Sequence, residues 1–301
     1  NKMLVLVDGR TVYSPFFSGV FWDVVDIVLE DIDRIEVIRG PAYGPEDQRI
    51  LLWHMEHYLN RLSRPQRKDY ADVVSQMPEA DPWLVNMLYG RYHLEEAWKA
   101  IPIGWREDTY EEDRNRWTNN MERARVHLTS AWEQHPEWPE PAALLIRVAM
   151  GGKTLPGEDA VFWFKRAVGG QVDYQKAYNN MLWSLQPRWG GSHDAKYAFG
   201  VACADTDRHE TIVPYQYFRA LLGIKGDMEQ SYAFWHEHDV YERASDILAK
   251  REANVGSESS KNCYRGLRIA LAWRFGDNDS ARELLQDAGE VKRRCRAFPT
   301  F

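Results

Sequence analysis

Two stretches of this chain bring metal-ligand residue types close together. His54 and His57 lie three apart with Glu56 between them, and His236-Glu237-His238-Asp239 is a row of four ligand types. A zinc site needs three or four donors that converge on one ion. The first pair lacks a further ligand at a fixed offset. In the second run, neighbouring residues of a helix point to different sides. Both read as solvated or capping side chains, so no metal site and no cofactor are expected.

A third concentration of reactive types is Pro187-Arg188-Trp189-Gly190-Gly191-Ser192-His193-Asp194. Ser, His and Asp are the parts of an acyl-transfer triad, but here they are chain neighbours, and no G-x-S-x-G elbow accompanies them. The glycine pair could cradle a phosphate, yet no strand precedes it and no P-loop pattern is present. The structural reading is stronger: the Pro and two Gly turn the chain, Trp189 is buried, and Asp194 caps the next helix. An enzyme built on residues 187–194 is the alternative. Glu111-Glu112-Asp113 with Arg114 and Arg116 reads as a solvated helix face. Lys292-Arg293-Arg294-Cys295-Arg296 reads as a basic helix end whose charges oppose the dipole.

These residues sit in a chain of 301, of which 44 % is apolar, with 13 Trp, 15 Tyr and 11 Phe. That is ample material for a core and excludes a disordered chain. The net charge of −7, from 38 basic and 45 acidic residues, argues against phosphate-backbone binding, so no nucleic-acid partner is expected. No apolar run reaches about 18 residues, so no transmembrane helix is expected. Asn1 to Asp8 show no signal-peptide pattern. Cys203, Cys263 and Cys295 match no metal or redox spacing and read as reduced, buried thiols. The expected location is the cytoplasm, with a periplasmic or outer-membrane-associated protein as the alternative.

The chain changes character near residue 45. Met3 to Val7 is a short apolar run that stops at Asp8-Gly9, a strong hairpin signal, with Thr11-Val12-Tyr13 as the returning strand. Phe16, Phe17, Val20, Phe21 and Trp22 form an aromatic patch, and Arg34-Ile35-Glu36-Val37-Ile38 partly alternates before Gly40-Pro41. VLVDGRTVYSPFFSGVFWD followed by LEDIDRIEVIRGPA resembles the plug domain of TonB-dependent outer-membrane receptors over about 42 residues. In that family the plug sits inside a 22-stranded barrel and gates ligand uptake. The Gly- and Asn-rich continuation of the plug is missing here. The other 254 residues lack the weak alternation of barrel strands, so the expectation is a plug-like fragment and not a receptor.

Beyond it the periodicity is helical. Ile50 to Leu62 carries an apolar stripe that Ser63-Arg64-Pro65 ends, and Pro82 suits a first helical turn. Ala124-x3-Leu128-x2-Ala131 recurs at Ala160/Phe164/Ala167, Ala195/Phe199/Ala202 and Ala281/Leu285/Ala288, with a partial copy at Ala244/Leu248. Small residues let a neighbouring helix approach, and a larger one fills the adjoining groove. The pattern resembles the second helix of tetratricopeptide repeats, with Ala177-Tyr178-Asn179-Asn180 like a first-helix start and Gly276-Asp277-Asn278-Asp279 as an inter-helix turn. Leu185-x-Pro187-Arg188-Trp189-Gly190-Gly191-Ser192 is similar to an uncharacterised bacterial family of helical domains.

The expected fold is therefore mainly α. Stacked antiparallel helix pairs form a tetratricopeptide-like α-solenoid over 46–301, with a short β segment at 1–45. The expected function is a non-enzymatic scaffold or adaptor, of an inhibitor or immunity type, holding another protein or peptide on a concave face. Candidate contacts are Arg188, Trp189, His193, Tyr215 and Tyr217. An envelope protein linked to receptor uptake is the other alternative.

Overall fold

A computed structural model describes residues 6, 7, 10, 11, 46, 48–50, 52, 62–100, 110–227 and 240–286, and these are mostly helical. The chain divides into two compact units, Asn1–Val85 and Asn86–Phe301. Most of the stripe expected at 50–62 and most of the plug-like segment lie outside the described residues. So do the His54/His57 pair, the 236–239 run and the basic run at 292–296.

In the first unit, β1 (Leu6–Val7) and β2 (Arg10–Thr11) pair antiparallel, Leu6 opposite Thr11 and Val7 opposite Arg10. Helix α1 spans Arg64–Ser75. Ser63 and Pro65, read from sequence as the end of one helix, also begin this one: Pro65 lies in its first turn, and the Ser63 N–H donates to Gln66 Oε1 at 2.8 Å. The buried Gln48 fixes the turn before the next helix. Its Nε2 donates to Glu79 O at 2.9 Å, and its Oε1 accepts from Asp81 N at 2.7 Å. Helix α2 (Pro82–Ala100) starts at the expected Pro82, with Asp81 Oδ1 accepting from Trp83 N at 2.7 Å.

The second unit holds the rest of α2 and α3 (Glu111–Gln134), α4 (Pro139–Met150), α5 (Ala160–Gly170), α6 (Gln175–Ser184), α7 (His193–Ala204), α8 (Gln216–Asp227), α9 (Val240–Asn254), α10 (Glu258–Arg274) and α11 (Asn278–Gln286). Helices close in sequence pack together: α3 on α4, α4 on α5 and α6, α6 on α8, α7 on α8, α9 on α10, and α10 on α11. The acidic triplet Glu111-Glu112-Asp113 forms the first turn of α3, where its charge complements the helix dipole.

The small-large-small pattern holds in some helices and fails in others. Ala124, Leu128 and Ala131 are all buried in α3, and Gly90 of α2 approaches so closely that a Cβ there would lie 2.7 Å from Leu128 Cγ. Ala244 and Leu248 are also buried, and Ala167 is buried in α5. In α7 the expected Ala195 and Ala202 are exposed instead. The buried stripe there is Lys196, Gly200, Cys203 and Ala204, one residue out of register. The reason is Gly200: a Cβ on it would meet Ala220 Cβ at 2.9 Å, so the close approach of α8 is made there. Ala281 is buried in α11, while Leu285 is 52 % exposed.

Candidate functional site

The turn from α6 into α7 is built by its glycines. Pro187–Trp189 forms one turn of 3₁₀ helix, and Gly190 follows at φ 85°. Gly191 passes so close to the preceding chain that a Cβ would lie 2.2 Å from Leu185 O. Ser192, and not the expected Asp194, caps α7: its Oγ accepts from Ala195 N at 3.0 Å. Asp194 sits two residues later in the first turn, too late for an N-cap. This cap occupies the Ser192 hydroxyl. The His193 ring points instead toward Asp227, with Nε2 3.6 Å from Oδ2, beyond hydrogen-bond length. Ser192, His193 and Asp194 are thus not brought together as a triad.

Trp189 turns back onto α2, where its ring meets Trp98 edge-on at 5.2 Å. Trp98 in turn meets Trp117 of α3 at 6.5 Å and carries the Arg147 guanidinium 5.6 Å above its ring. Arg188 stays exposed and lies over Trp183, 4.4 Å from the ring centre. Trp183 is itself 42 % exposed.

Beside this turn opens a cavity of about 600 Å³, walled by α6 and α8 and closed by residues of α7, α9, α10 and the segment before α8. Its rim is exposed Asn179, Trp183 and Arg219; its floor is buried Lys196, Gln216 and Phe218. The volume falls within the range of known ligand sites, about 300–1,000 Å³. Amides line it on both walls. Gln175 and Gln216 exchange hydrogen bonds at 3.4 and 3.3 Å, and Arg219 donates to Asn179 Oδ1.

Three cations reach the cavity, and among the described residues that line it none is a carboxylate. Lys196 is 1 % exposed, and its ammonium donates to Asp227 Oδ2 at 3.2 Å. Gly223 makes room for it, since a Cβ there would lie 3.2 Å from Lys196 Nζ. Arg251 donates to His209 O at 2.7 Å and lies 5.0 Å above the Tyr215 ring. Burial works against its charge, but the hydrogen bond to Tyr264 and the nearby phenol oxygens of Tyr215 and Tyr264 hold its guanidinium above the ordinary range. Burial likewise pushes the Tyr215 phenol up. Among the described residues neither Arg219 nor Arg251 has a carboxylate partner, whereas Arg243 pairs with Asp205, and Arg265 and Arg268 share Glu252.

Of the five expected contacts, Arg188 and Trp189 lie in the turn beside this cavity, and His193 stands behind it against Asp227. Tyr215 lines the cavity. Tyr217 does not serve. It is 0 % exposed, its ring packs between Tyr197 and Phe218, and burial first, then the neighbouring Tyr197 hydroxyl, raises its phenol. Sequence reasoning missed Lys196, Arg219, Gly223 and Arg251. One signal was present: Lys196 is the only cation in the otherwise apolar run Ala195–Ala204.

Cys203 is buried, as expected, and its thiol is pushed up to about 12 by that burial. Cys263 departs from the expectation of three reduced thiols, because it is disulfide-bonded. Among the described residues no group of three or more His, Cys, Asp or Glu converges to hold a metal ion, and no helix is long and apolar enough to cross a membrane. Comparison with protein-family models, with curated proteins and with solved structures gave no match.

Proposed function

We propose that this chain is a non-enzymatic binding scaffold that seats an extended segment of another protein in the cavity between α6 and α8. The observation that carries the reading is the lining of that cavity. In the protein alone Gln175 bonds to Asn179 and Gln216, Gln216 also to the Ile212 carbonyl, and Gln186 Oε1 accepts from Arg188, so an entering chain would exchange for these bonds. Gln175, Asn179, Gln186 and Gln216 each carry both a donor and an acceptor. That is what the alternating N–H and C=O groups of an extended main chain require. Leu182, Phe218 and Leu222 supply apolar surface for side chains, and the exposed Trp183 is an aromatic anchor at the rim.

In this reading residues 46–301 are a degenerate tetratricopeptide-like solenoid of stacked antiparallel helix pairs. Residues 1–45 are a plug-like β fragment attached to it. Contacts that run mainly between helices close in sequence support the solenoid, since each pair of a repeat array touches its neighbours. The test is panning of a random peptide library, displayed on phage, against the immobilised full chain. A shared motif should emerge, and the synthetic peptide should bind the wild type but not Trp183→Asp. Recovery no better than from the bare support would refute the scaffold reading.

A further inference from the structure

We propose that the segment this cavity selects carries an aspartate or glutamate side chain next to a large apolar one, the carboxylate lying among Arg219, Arg251 and Lys196. This rests on the scaffold reading above and adds the chemistry of the occupant.

The argument starts from charge. The chain as a whole is acidic, at −7, yet this cavity gathers two guanidiniums and one ammonium, with no carboxylate among the described residues of its lining. Asp227, which is not among the described lining residues, already holds Lys196 at 3.2 Å. An ammonium taken out of water costs several kcal/mol unless anions compensate it. Asp227 is a partial answer, because its own side chain is 36 % exposed and water weakens the pair. An anion entering from the rim would complete the compensation.

Arg219 and Arg251 are held ready for it. Arg251 is fixed by the His209 carbonyl and sandwiched against Tyr215 and Tyr264, 5.0 and 5.9 Å from their ring centres. Arg219 is held at the rim by Asn179 Oδ1. Both keep further N–H donors, and a guanidinium fork matches a carboxylate in geometry as well as charge. The absence of a Cβ at Gly223 keeps the Lys196 ammonium on the cavity floor. Beside the cations, Phe218, Leu222, Ile212 and Tyr264 form an apolar wall. A bare anion would leave that wall wet, whereas a carboxylate with an apolar neighbour uses both parts. The four amides favour a peptide as the body that links them.

Peptides enriched by the panning, displayed with no free C-terminus, provide the test. The shared motif should contain one acidic position beside Leu, Phe, Tyr or Trp. In fluorescence anisotropy with the full chain, changing that peptide Glu to Gln should weaken Kd by about tenfold or more, as expected for a lost charged hydrogen bond. Arg219→Glu should do the same, and Arg282→Glu, outside the cavity, should leave Kd within about twofold. The affinity should also fall as salt rises. Enriched peptides without an acid, or a Glu-to-Gln change that leaves Kd within about twofold, would overturn this inference while the scaffold reading stands. Failure to enrich any peptide would remove the scaffold reading itself, and this inference with it.

Discussion

The close approach of Gly90 to Leu128 gives a prediction that can be worked in numbers. Leu128→Ala removes a fully buried side chain, so the loss should be within about 2.7–5 kcal/mol, the range for such cavities. Gly90→Ala has two opposed effects. A helix interior gains about 1 kcal/mol from Ala over Gly. Against this, the new Cβ would lie 2.7 Å from both Cγ and Cδ2 of Leu128, and crowding of that kind costs about 1–3 kcal/mol. The single variant should therefore be neutral to destabilised. In the Leu128→Ala background the crowding atoms are gone, and Gly90→Ala should become stabilising, both by propensity and by filling part of the void. The double-mutant cycle should show a favourable coupling of at least about 1 kcal/mol. Urea denaturation read by tryptophan fluorescence and far-UV circular dichroism measures all four corners. Additivity within about 0.5 kcal/mol would mean that α2 and α3 do not meet through this pair.

Three further outcomes follow from the same geometry. His127 stacks on His93 with ring centres 6.0 Å apart, and burial first, then the charges of His93 and Arg123, lowers its pKa below the ordinary 6.5. The unfolded chain therefore takes up that proton first as pH falls, so stability should decline on acidification through and below about 6.5; His127→Gln should show a shallower pH dependence of the urea midpoint, and an unchanged one would refute the assignment. Gly191→Ala should open the turn before α7 and cost near the top of the about 1–3 kcal/mol range for crowding, since Leu185 backbone atoms stand 2.2 and 2.4 Å away; Gly169→Ala, with nothing within 4 Å, is the control that should be near neutral in thermal melts. Cys203, with its buried thiol at about 12, should resist maleimide in the folded protein and react once denatured, as peptide mapping by mass spectrometry would read; rapid native labelling would contradict its burial.

What could be read from the sequence was what depends on near neighbours. Asp81-Pro82 marks a helix start because capping and the fixed φ of proline act within a single turn. Ala124, Leu128 and Ala131 face inward because their spacing places them on one stripe of one helix. The same spacing misleads at Ala195, Phe199 and Ala202. There the seam is decided by Gly200 against Ala220, a partner that periodicity within α7 does not reveal. Tyr217 looked like a surface contact for the same reason. Its neighbour Tyr215 does line the cavity, and a shift of two residues along the chain separates lining from core. The cavity itself was out of reach, since Gln175, Lys196, Arg219, Arg251 and Tyr264 each look like ordinary helical residues until five helices bring them together.

The edge-on meeting of Trp98 with Trp189 has a consequence for how the molecule assembles. It joins α2 to the turn after α6, two pieces of chain separated by the whole of α3, α4, α5 and α6. Contacts this distant in sequence carry a loop-closure penalty that only prior stacking of the intervening helices offsets. The turn thus locks late, after the helices beneath it. In amide hydrogen exchange on the native protein, protection should build from α3 and α4 outward, with residues 187–192 opening ahead of them.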